Sequence, residues 1–307
     1  MSPQATLTQP CIDSALMPSD DDVAFFKEHG WWMSQPIYSH EELDCALELQ
    51  ERLYGGDRPH PMPKVFPGNK TTDKSQPAPK PDPAAMSKDD WSCFILPELQ
   101  IITHKPILAA MAARLMGSDE VRLWHDQLLC KPPQPQDRDV HGQSAVGWHA
   151  DRNYWQTCSG PMVTAWVPFT EITPDMGPIA FLDRSQEWEL IDDLDFFSDD
   201  LSGQELLLEK MGKRGKKVVP HFKRGQVSFH DWRTVHGSTP NLSDRTRRSM
   251  AVHLQSGENT WVENHDRDGQ LCTHANDWLV QRDKNGNPDY RDSQWCPCLY
   301  PQNSRGS

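Results

Sequence analysis

The chain has 307 residues, of which 36% are hydrophobic, and its formal net charge at pH 7 is −13. This length suits one large domain or two small ones, and the hydrophobic content is sufficient for a core. The acidic balance argues against nucleic acid and anionic membrane surfaces as partners, because both attract basic proteins. No apolar run approaches the roughly 18 residues that a membrane-spanning helix requires. A small-molecule partner fits this composition better.

The N-terminal residues and the cysteines predict a cytoplasmic protein. Residues 1–18 are expected to form a flexible arm, and they lack the basic stretch followed by an apolar one that marks a secretory signal. The eight cysteines are scattered without a framework spacing, as expected for reduced thiols. Cys296 and Cys298 lie two positions apart, but no second Cys or His pair flanks them at a spacing suited to zinc.

The first third of the chain predicts helices that begin at capping residues. Ser19 precedes three Asp residues, and Ser39 precedes Glu42 by three positions, so both serines can accept hydrogen bonds from free backbone N–H groups. The predicted elements are a helix over 20–30, a short strand over 31–36, a helix over 40–54 and helical turns over 96–117.

Residues 55–85 interrupt these helices with many Pro, Lys, Asp and Gly residues and no hydrophobic periodicity. This composition predicts a long irregular loop. Loops of such length are usually functional or disordered. Two interpretations stay open, a lid on the substrate side of a site and a disordered segment.

After Gly117 the pattern changes to short β segments separated by turn residues, which is typical of a sandwich or barrel. The predicted strands are 121–131, 147–151, 162–171, 178–182, 217–221, 226–231 and 247–256. Residues 188–215 are predicted to be a helical, charged interruption with solvated faces. We expect one domain over 19–307, consisting of helical support over 19–117, a barrel over 118–256 and an extension over 257–307 that packs across the barrel.

The stretch GWHADRNYW, residues 147–155, contains the triplet His149-Ala150-Asp151. In an extended segment, residues two apart point to the same side, so one strand face offers an imidazole nitrogen and a carboxylate oxygen. Two His and one carboxylate on one face of a metal leave open positions, as in non-haem Fe(II) oxygenases. The chain has thirteen His, so such a triplet also arises by chance, and alone it equally suits a surface turn with a solvated Asp.

The triplet is followed by TAWVPFTEITPDMGPIAFLDRS, residues 164–185, then by His236-Gly237-Ser238 and Arg247. This layout resembles the phytanoyl-CoA dioxygenase family of Fe(II)/2-oxoglutarate oxygenases over about residues 20–255. HGSTPNLSDRTRRSMAVHL, residues 236–254, is its most specific part. The chain departs from the family at residues 183–186, where a Gly-Ser-His ending is common; this leaves the ligand positions intact but weakens inferences about the substrate.

The resemblance implies a mainly β fold with flanking helices, a double-stranded β-helix (jelly roll) with N-terminal helices packed on one sheet. By the resemblance, His149, Asp151 and His236 bind Fe(II), with 2-oxoglutarate and dioxygen as cosubstrates and ascorbate as the reductant in vitro. The implied reaction converts 2-oxoglutarate to succinate and CO2 and hydroxylates the substrate, although relatives divert it to demethylation, desaturation or ring closure. The carboxylate of Asp151 argues against halogenation, for which related enzymes have a small residue there.

The distal carboxylate of 2-oxoglutarate requires a cation, and Arg offers a fork of donors that matches it. The strand RRSMAVHL alternates between two faces, which favours Arg247 over Arg248 or Arg245 as the inward-facing cation. Ser238 is predicted to donate a second hydrogen bond to this carboxylate, with a turn Ser before Pro240 as the alternative.

Further site residues are predicted from strand alternation. Thr164 and Trp166 share a strand face and are expected near the cosubstrate, with plain core as the alternative for Trp166. Gln127 and Lys131 alternate inward on their strand, where either cosubstrate or substrate is within reach; Gln127 is assigned to the cosubstrate, and Lys131 and Trp155 are assigned to the substrate. The remaining histidines near these strands are interpreted as core or surface groups: His125, His141, His230 and His253.

A polar secondary metabolite or amino-acid derivative is the expected substrate, in natural product biosynthesis. Residues 210–217 form the only clear basic run, so an acyl-CoA substrate is not favoured. One alternative is oxidation of a basic protein or peptide docked by the acidic chain and its Pro-rich loop. Another is a jelly roll that binds a ligand without turnover, against which the intact triad and Arg247 speak.

Overall fold

The computed structural model describes residues 12–63, 86–134, 145–196, 198 and 200–301. Its strands are β1 (Trp31–Met33), β2 (Ser87–Asp90), β3 (Val121–Lys131), β4 (Val146–His149), β5 (Met162–Pro168), β6 (Ala180–Leu182), β7 (Lys217–Val218), β8 (Ser228–Asp231), β9 (His236–Ser238), β10 (Arg247–Ser256) and β11 (Cys298–Tyr300). Its helices are α1 (Asp20–His29), α2 (His40–Tyr54), α3 (Ser92–Ile95), α4 (Gln100–Thr103), α5 (Pro106–Met116), α6 (Leu201–Lys210) and α7 (Asn276–Leu279).

The strands form two antiparallel sheets. The larger sheet has the order β1-β8-β5-β10-β3-β11, with β2 also paired to β3, and the smaller has the order β4-β9-β6-β7. Strands that are distant in sequence therefore lie side by side, as in a jelly roll. The predicted mainly β fold with flanking helices is confirmed.

Local capping interactions explain where the N-terminal helices begin. The hydroxyl of Ser19 accepts from the Asp22 backbone N–H, and the Asp22 carboxylate accepts from the Ser19 N–H. Ser39 and Glu42 make the same reciprocal pair at the start of α2. Each pair satisfies two backbone donors that a helix otherwise leaves free. Helix α1 ends at Gly30, whose φ of 78° is a left-handed conformation that suits glycine.

The main hydrophobic core lies between these helices and the outer face of the larger sheet. Met250, Val252 and Leu254 of β10 point into it and are fully buried against helix residues such as Leu43 and Leu108. The alternate residues of β10 therefore face the other sheet. Burial of apolar side chains on one face thus fixes which β10 residues reach the space between the sheets.

The sequence misjudged several boundaries. Among the described residues of 188–215, the helix is α6, and the predicted strands 162–171, 178–182 and 217–221 are shorter. Strands β2 and β11 and helices α3 and α7 were not predicted. Residues 1–11 of the expected arm and 64–85 of the Pro-rich loop lie outside the described residues, so the arm, domain and lid assignments stay predictions. None of the described helices combines the length and apolar character needed to cross a bilayer.

The C-terminal extension packs at the edge of the larger sheet that β3 forms. Strand β11 pairs with β3, and Tyr290 packs edge-on against Trp124 with ring centroids 4.7 Å apart. The Tyr290 hydroxyl donates to the buried carboxylate of Asp277 at 2.6 Å. Cys296 is buried in the same cluster, where burial raises the pKa of its thiol, so it is a packing residue and not an activated nucleophile.

Candidate metal and cosubstrate site

Three side chains with metal-ligating atoms converge between the sheets. His149 ends β4 and His236 begins β9, and these residues are directly paired across the two antiparallel strands. Asp151 follows in a short 3-10 turn, so the predicted strand over 147–151 ends two residues early. Ala150 still has an extended backbone, which keeps His149 and Asp151 on one side. One ligand atom from each of the three residues lies within 4.8 Å of the others.

Backbone carbonyls fix the tautomers of both imidazoles. The Nδ1 atom of His149 lies 2.8 Å from the Gly147 carbonyl oxygen, and that of His236 lies 2.9 Å from the Thr234 carbonyl oxygen. A carbonyl can only accept, so each Nδ1 carries the hydrogen and each Nε2 is left with a free lone pair. These Nε2 atoms lie 4.0 and 3.8 Å from Asp151 Oδ1. The donor set therefore fits a divalent metal ion whose ligand orientation is set by backbone contacts.

The protonation states also fit a metal site. Burial lowers the pKa of both His149 and His236, so both rings are neutral near pH 7. Burial opposes ionisation of Asp151, but the surrounding imidazoles and hydrogen bonds hold its pKa well below the ordinary value. Two neutral imidazoles and one carboxylate are the deprotonated forms that bind metal.

A hydrogen-bonded relay holds Asp151 from behind. The Thr164 hydroxyl lies 2.6 Å from Asp151 Oδ2 and 2.8 Å from His253 Nδ1. Because the hydroxyl has one hydrogen, which it donates to the carboxylate, it must accept from His253 Nδ1–H. Thr164 thus positions Asp151, while its predicted contact with the cosubstrate stays a prediction. His253, interpreted from sequence as a core or surface group, is buried and lines the cavity beside the triad.

Two buried cations lie at one end of this region. Arg247 of β10 and Lys131 of β3 are directly paired across the sheet, and their residues are 2% and 0% exposed. Lys131 Nζ donates to Ser238 Oγ at 2.6 Å and to the Thr239 carbonyl at 2.8 Å. Burial lowers the pKa of Arg247 to about 10, and burial together with Arg247 places that of Lys131 well below its ordinary value.

These cations are arranged to receive an anion. Arg247 donates to the Gly177 carbonyl and stacks 5.3 Å above the Trp166 ring, but its Nε has no hydrogen-bond partner among the described residues. In that same part of the chain, Arg247 and Lys131 bond to a hydroxyl and to backbone carbonyls but to no carboxylate. Uncompensated buried charge is costly, so a bound carboxylate stabilises this end. Lys131 is directly paired with Arg247 across the sheet, and its role toward cosubstrate or substrate stays a prediction.

One cavity of about 350 Å³ connects the cation end with the triad and continues beyond it. Trp155 lies on the far side, where its ring packs against His253 with centroids 4.8 Å apart. Gln127 also lines the cavity. The structure thus places the predicted site residues around one space, except Lys131, which is buried behind the lining residue Ser238. His141 lies outside the described residues.

Sequence reasoning missed other residues of this cavity. His230 is buried with both ring nitrogens unpartnered in the described part of the chain, and its Nε2 lies 3.4 Å from Asp151 Oδ2. His230 was interpreted from sequence as a core or surface group, and its neighbour Asp231 points away to bind Arg233. Alternation along β8 alone would have placed His230 inward. The others are Lys88, Asp90, Trp91, Tyr154, Phe196 and His274.

The family model described as phytanoyl-CoA dioxygenase (PhyH) matches residues 26–249. Among solved structures, the non-haem α-ketoglutarate-dependent carbocyclase SnoK from nogalamycin biosynthesis is 18% identical with a TM-score of 0.64, covering 91% of this chain and 96% of that chain. The epimerase SnoN in complex with Fe3+, α-ketoglutarate and nogalamycin RO is 17% identical with a TM-score of 0.61, covering 91% and 98%.

EctD from S. alaskensis, with 2-oxoglutarate and 5-hydroxyectoine, is 20% identical with a TM-score of 0.62 and covers 89% of this chain and 86% of that chain. At these identities the structures show a shared fold. A search of curated proteins gave no significant match.

Proposed function

Because the chain belongs to the phytanoyl-CoA dioxygenase family, we propose that it hydroxylates a small polar metabolite, a secondary metabolite or an amino-acid derivative. The chain is a non-haem iron, 2-oxoglutarate-dependent oxygenase. The observation that carries the proposal is one cavity that joins a His-Asp-His triad to the buried guanidinium of Arg247, with the Lys131 ammonium behind the lining residue Ser238. Similarity to SnoK and SnoN, both named for nogalamycin, supports a role in natural product biosynthesis.

His149, Asp151 and His236 would hold the iron through two Nε2 atoms and one carboxylate oxygen. When bound there, Fe(II) supplies dioxygen activation coupled to conversion of 2-oxoglutarate to succinate and CO2. The residues around it keep the ligands oriented: Gly147 and Thr234 through their carbonyls, and Thr164 through its hydroxyl. Loss of such outer contacts typically reduces metal affinity by about 10–100-fold.

Arg247, Lys131 and Ser238 would bind the distal carboxylate of 2-oxoglutarate. Hydrogen bonds to charged groups contribute about 1.5–3 kcal/mol each, and more precise orientation comes from the guanidinium fork. Trp166 lies beneath that guanidinium and keeps it from turning away. Thr164 and Gln127 complete the proposed cosubstrate pocket, and Trp155 lies with the substrate.

The size of the cavity supports a small substrate, since pockets for small molecules typically measure about 300–1,000 Å³. Demethylation, desaturation or ring closure by the same machinery, or action on a protein or peptide, are the alternative outcomes. We propose that all of this takes place in a single cytoplasmic domain over 19–307.

The test combines metal content, cosubstrate binding and uncoupled turnover. Protein loaded anaerobically with Fe(II) is titrated with 2-oxoglutarate, monitored by the visible absorption of the Fe(II)–keto acid chelate, and then exposed to air with ascorbate to measure succinate. We expect about one iron per chain, a saturable chelate band and slow succinate release. His149→Ala removes the iron, whereas the exposed-site control His265→Ala retains it.

Arg247→Ala keeps the iron but weakens 2-oxoglutarate binding on the order of a hundredfold, through lost charge-assisted hydrogen bonds. Arg248→Ala is the matched control, because Arg248 lies on the opposite face of β10 and pairs with Glu51. Absence of both stoichiometric iron and a chelate band in the wild type would refute the proposal.

A further inference from the structure

Beyond the triad, the cavity opens into a chamber lined by Lys88, Asp90, Trp91, His125, Trp155, Phe196, His253 and His274. Part of this chamber comes from outside the family match, which ends at residue 249: Thr273, His274 and Ala275 belong to the C-terminal extension. The chamber is therefore built partly from residues that the family model does not match.

The aromatic wall of the chamber is held in a defined position. Trp91 has a φ of 55°, a left-handed conformation that is costly for a bulky residue and is found at functional sites. Its Nε1 donates to the Asn276 side chain at 3.1 Å, and the Asn276 amide donates to the Trp124 carbonyl at 2.7 Å. The Trp91 ring packs 5.1 Å from His125. Two distant parts of the chain thus fix one flat apolar surface.

Two imidazoles in this wall present hydrogen-bond acceptors. The relay through Thr164 assigns the hydrogen of His253 to Nδ1, so its Nε2 has a free lone pair. His125 directs Nδ1 toward the Asp126 carbonyl at 3.5 Å, which leaves its Nε2 in the same state. Neither Nε2 has a partner among the described residues, and the two rings lie 4.5 Å apart. Buried acceptors without donors favour a ligand that supplies them.

The charged side chains that line the cavity restrict the charge of the ligand it can bind. Its charged lining side chains in the described residues are Lys88, Asp90, Asp151 and Arg247. The proposed iron takes Asp151 and the cosubstrate takes Arg247, which leaves one cation and one anion for the substrate. Lys88 and Asp90 are two apart on β2 and face the same side, with Lys88 Nζ 3.4 Å from Asp90 Oδ1.

This pair discriminates among ligand charges. A simple amine that binds Asp90 leaves the Lys88 ammonium unpaired in a partly buried site, and a simple carboxylate on Lys88 does the same to Asp90. A ligand that carries both an ammonium and a carboxylate replaces the Lys88–Asp90 ion pair by two new ion pairs. The ammonium group also supplies the donors that His125 and His253 lack, because it carries three N–H bonds.

We propose that the chamber binds a zwitterionic substrate, an amino acid or close derivative with an apolar side chain. Its ammonium group is bound by Asp90 and the paired imidazoles, its carboxylate by Lys88, and its apolar part by Trp91 and Trp155. Phe196 places this charged pair next to the metal site, since its ring lies 5.4 Å from Lys88 Nζ and 4.8 Å from the His149 ring. The proposal rests on the proposed oxygenase function and specifies its substrate class.

The test compares four probes that share a phenyl ring: L-phenylalanine, 2-phenylethylamine, 3-phenylpropanoate and 3-phenylpropan-1-ol. Each is titrated calorimetrically into the anaerobic Fe(II)–2-oxoglutarate protein, whose chelate band is checked first. We expect L-phenylalanine to bind at least about tenfold more tightly than the other three, the factor for one charge-assisted contact. Equal or tighter binding of the alcohol, or no binding of any probe, would overturn the proposal.

Variants separate the two charges. Asp90→Asn should weaken the binding of L-phenylalanine and 2-phenylethylamine about tenfold and leave that of 3-phenylpropanoate within about twofold. Lys88→Met should weaken the binding of L-phenylalanine and 3-phenylpropanoate about tenfold and leave that of 2-phenylethylamine within about twofold. Asp89→Asn is the matched control, because Asp89 is the intervening residue of β2 and pairs with Arg58 instead. Unchanged binding in Asp90→Asn overturns the zwitterion site. Loss of the chelate band in the wild type would instead count against the oxygenase assignment itself.

Discussion

Replacing Lys131 with Met should move stability and cosubstrate affinity in opposite directions. The Lys131 ammonium is fully buried beside Arg247 and bonds only to Ser238 and Thr239 in the described part of the chain. Without an anion, burial and the neighbouring Arg247 disfavour the Lys131 ammonium and lower its pKa, and Met has a similar volume without an amine to desolvate. The free protein should therefore keep its free energy of unfolding or gain about 1 kcal/mol, which corresponds to a Tm increase of about 2–4 °C.

With 2-oxoglutarate the same substitution removes one charge-assisted hydrogen bond, about 1.5–3 kcal/mol, so the Kd should rise on the order of ten- to a hundredfold. Calorimetric titration of 2-oxoglutarate and thermal unfolding without it measure the two effects on one sample. Lys217→Met is a control, since Lys217 is exposed and pairs with Glu205. A Tm that drops by more than about 5 °C together with an unchanged Kd would show that Lys131 is a structural residue and not a cosubstrate ligand.

Three other predictions concern groups around this site. Thr164→Val deprives the Asp151 carboxylate of its donor and should weaken Fe(II) binding about 10–100-fold in chelator competition, whereas Thr164→Ser restores it; equal affinities would contradict the relay. Because burial holds the Lys131 pKa low and a bound carboxylate raises it, 2-oxoglutarate binding takes up a proton; its Kd should rise with pH over the range in which the free protein has lost the Lys131 proton and the complex keeps it, and Lys131→Met should abolish that slope. Burial raises the pKa of Asp126 to about 6, above its unfolded value, so its stabilising contribution is complete below about pH 4 and lost as the pH rises through 6. In urea unfolding, Asp126→Asn should gain about 3 kcal/mol relative to wild type between pH 4 and pH 7, and a difference independent of pH would refute this.

The parts of the structure that were predicted from sequence are those set by local chemistry. The capping boxes at Ser19 and Ser39 involve residues three apart, so they can be recognised in the sequence. The inward face of β10 followed from alternation, which separated Arg247 from Arg248. The position of Asp151 also followed, although it lies in a 3-10 turn, because the intervening Ala150 stays extended.

The site residues that sequence reasoning missed, and the position of Lys131 along the sheet, depend on contacts between distant segments. Alternation places Lys131 inward but does not tell which end of the cavity it reaches; its pairing with Arg247 on β10 decides that. Trp91 owes its place to a left-handed backbone and to a hydrogen bond from its indole to Asn276. His274 enters the cavity from an extension with no recognisable periodicity. No local pattern in the sequence carries this information.

Strand β10 connects the cation end, the metal-binding triad and the substrate chamber. Its inward residues are, in order, Arg247, Ser249, Ala251 and His253. At about 3.3 Å per residue, the six-residue step from Arg247 to His253 spans about 20 Å. The strand thus runs from the proposed cosubstrate carboxylate, past the triad, to the chamber wall. His253 is also joined through Thr164 to Asp151, so the group that would receive the substrate ammonium is held by the same relay that orients a metal ligand. A substrate bound at His253 is therefore placed relative to the metal by two short hydrogen bonds and not by a flexible loop, which favours oxidation at one fixed carbon.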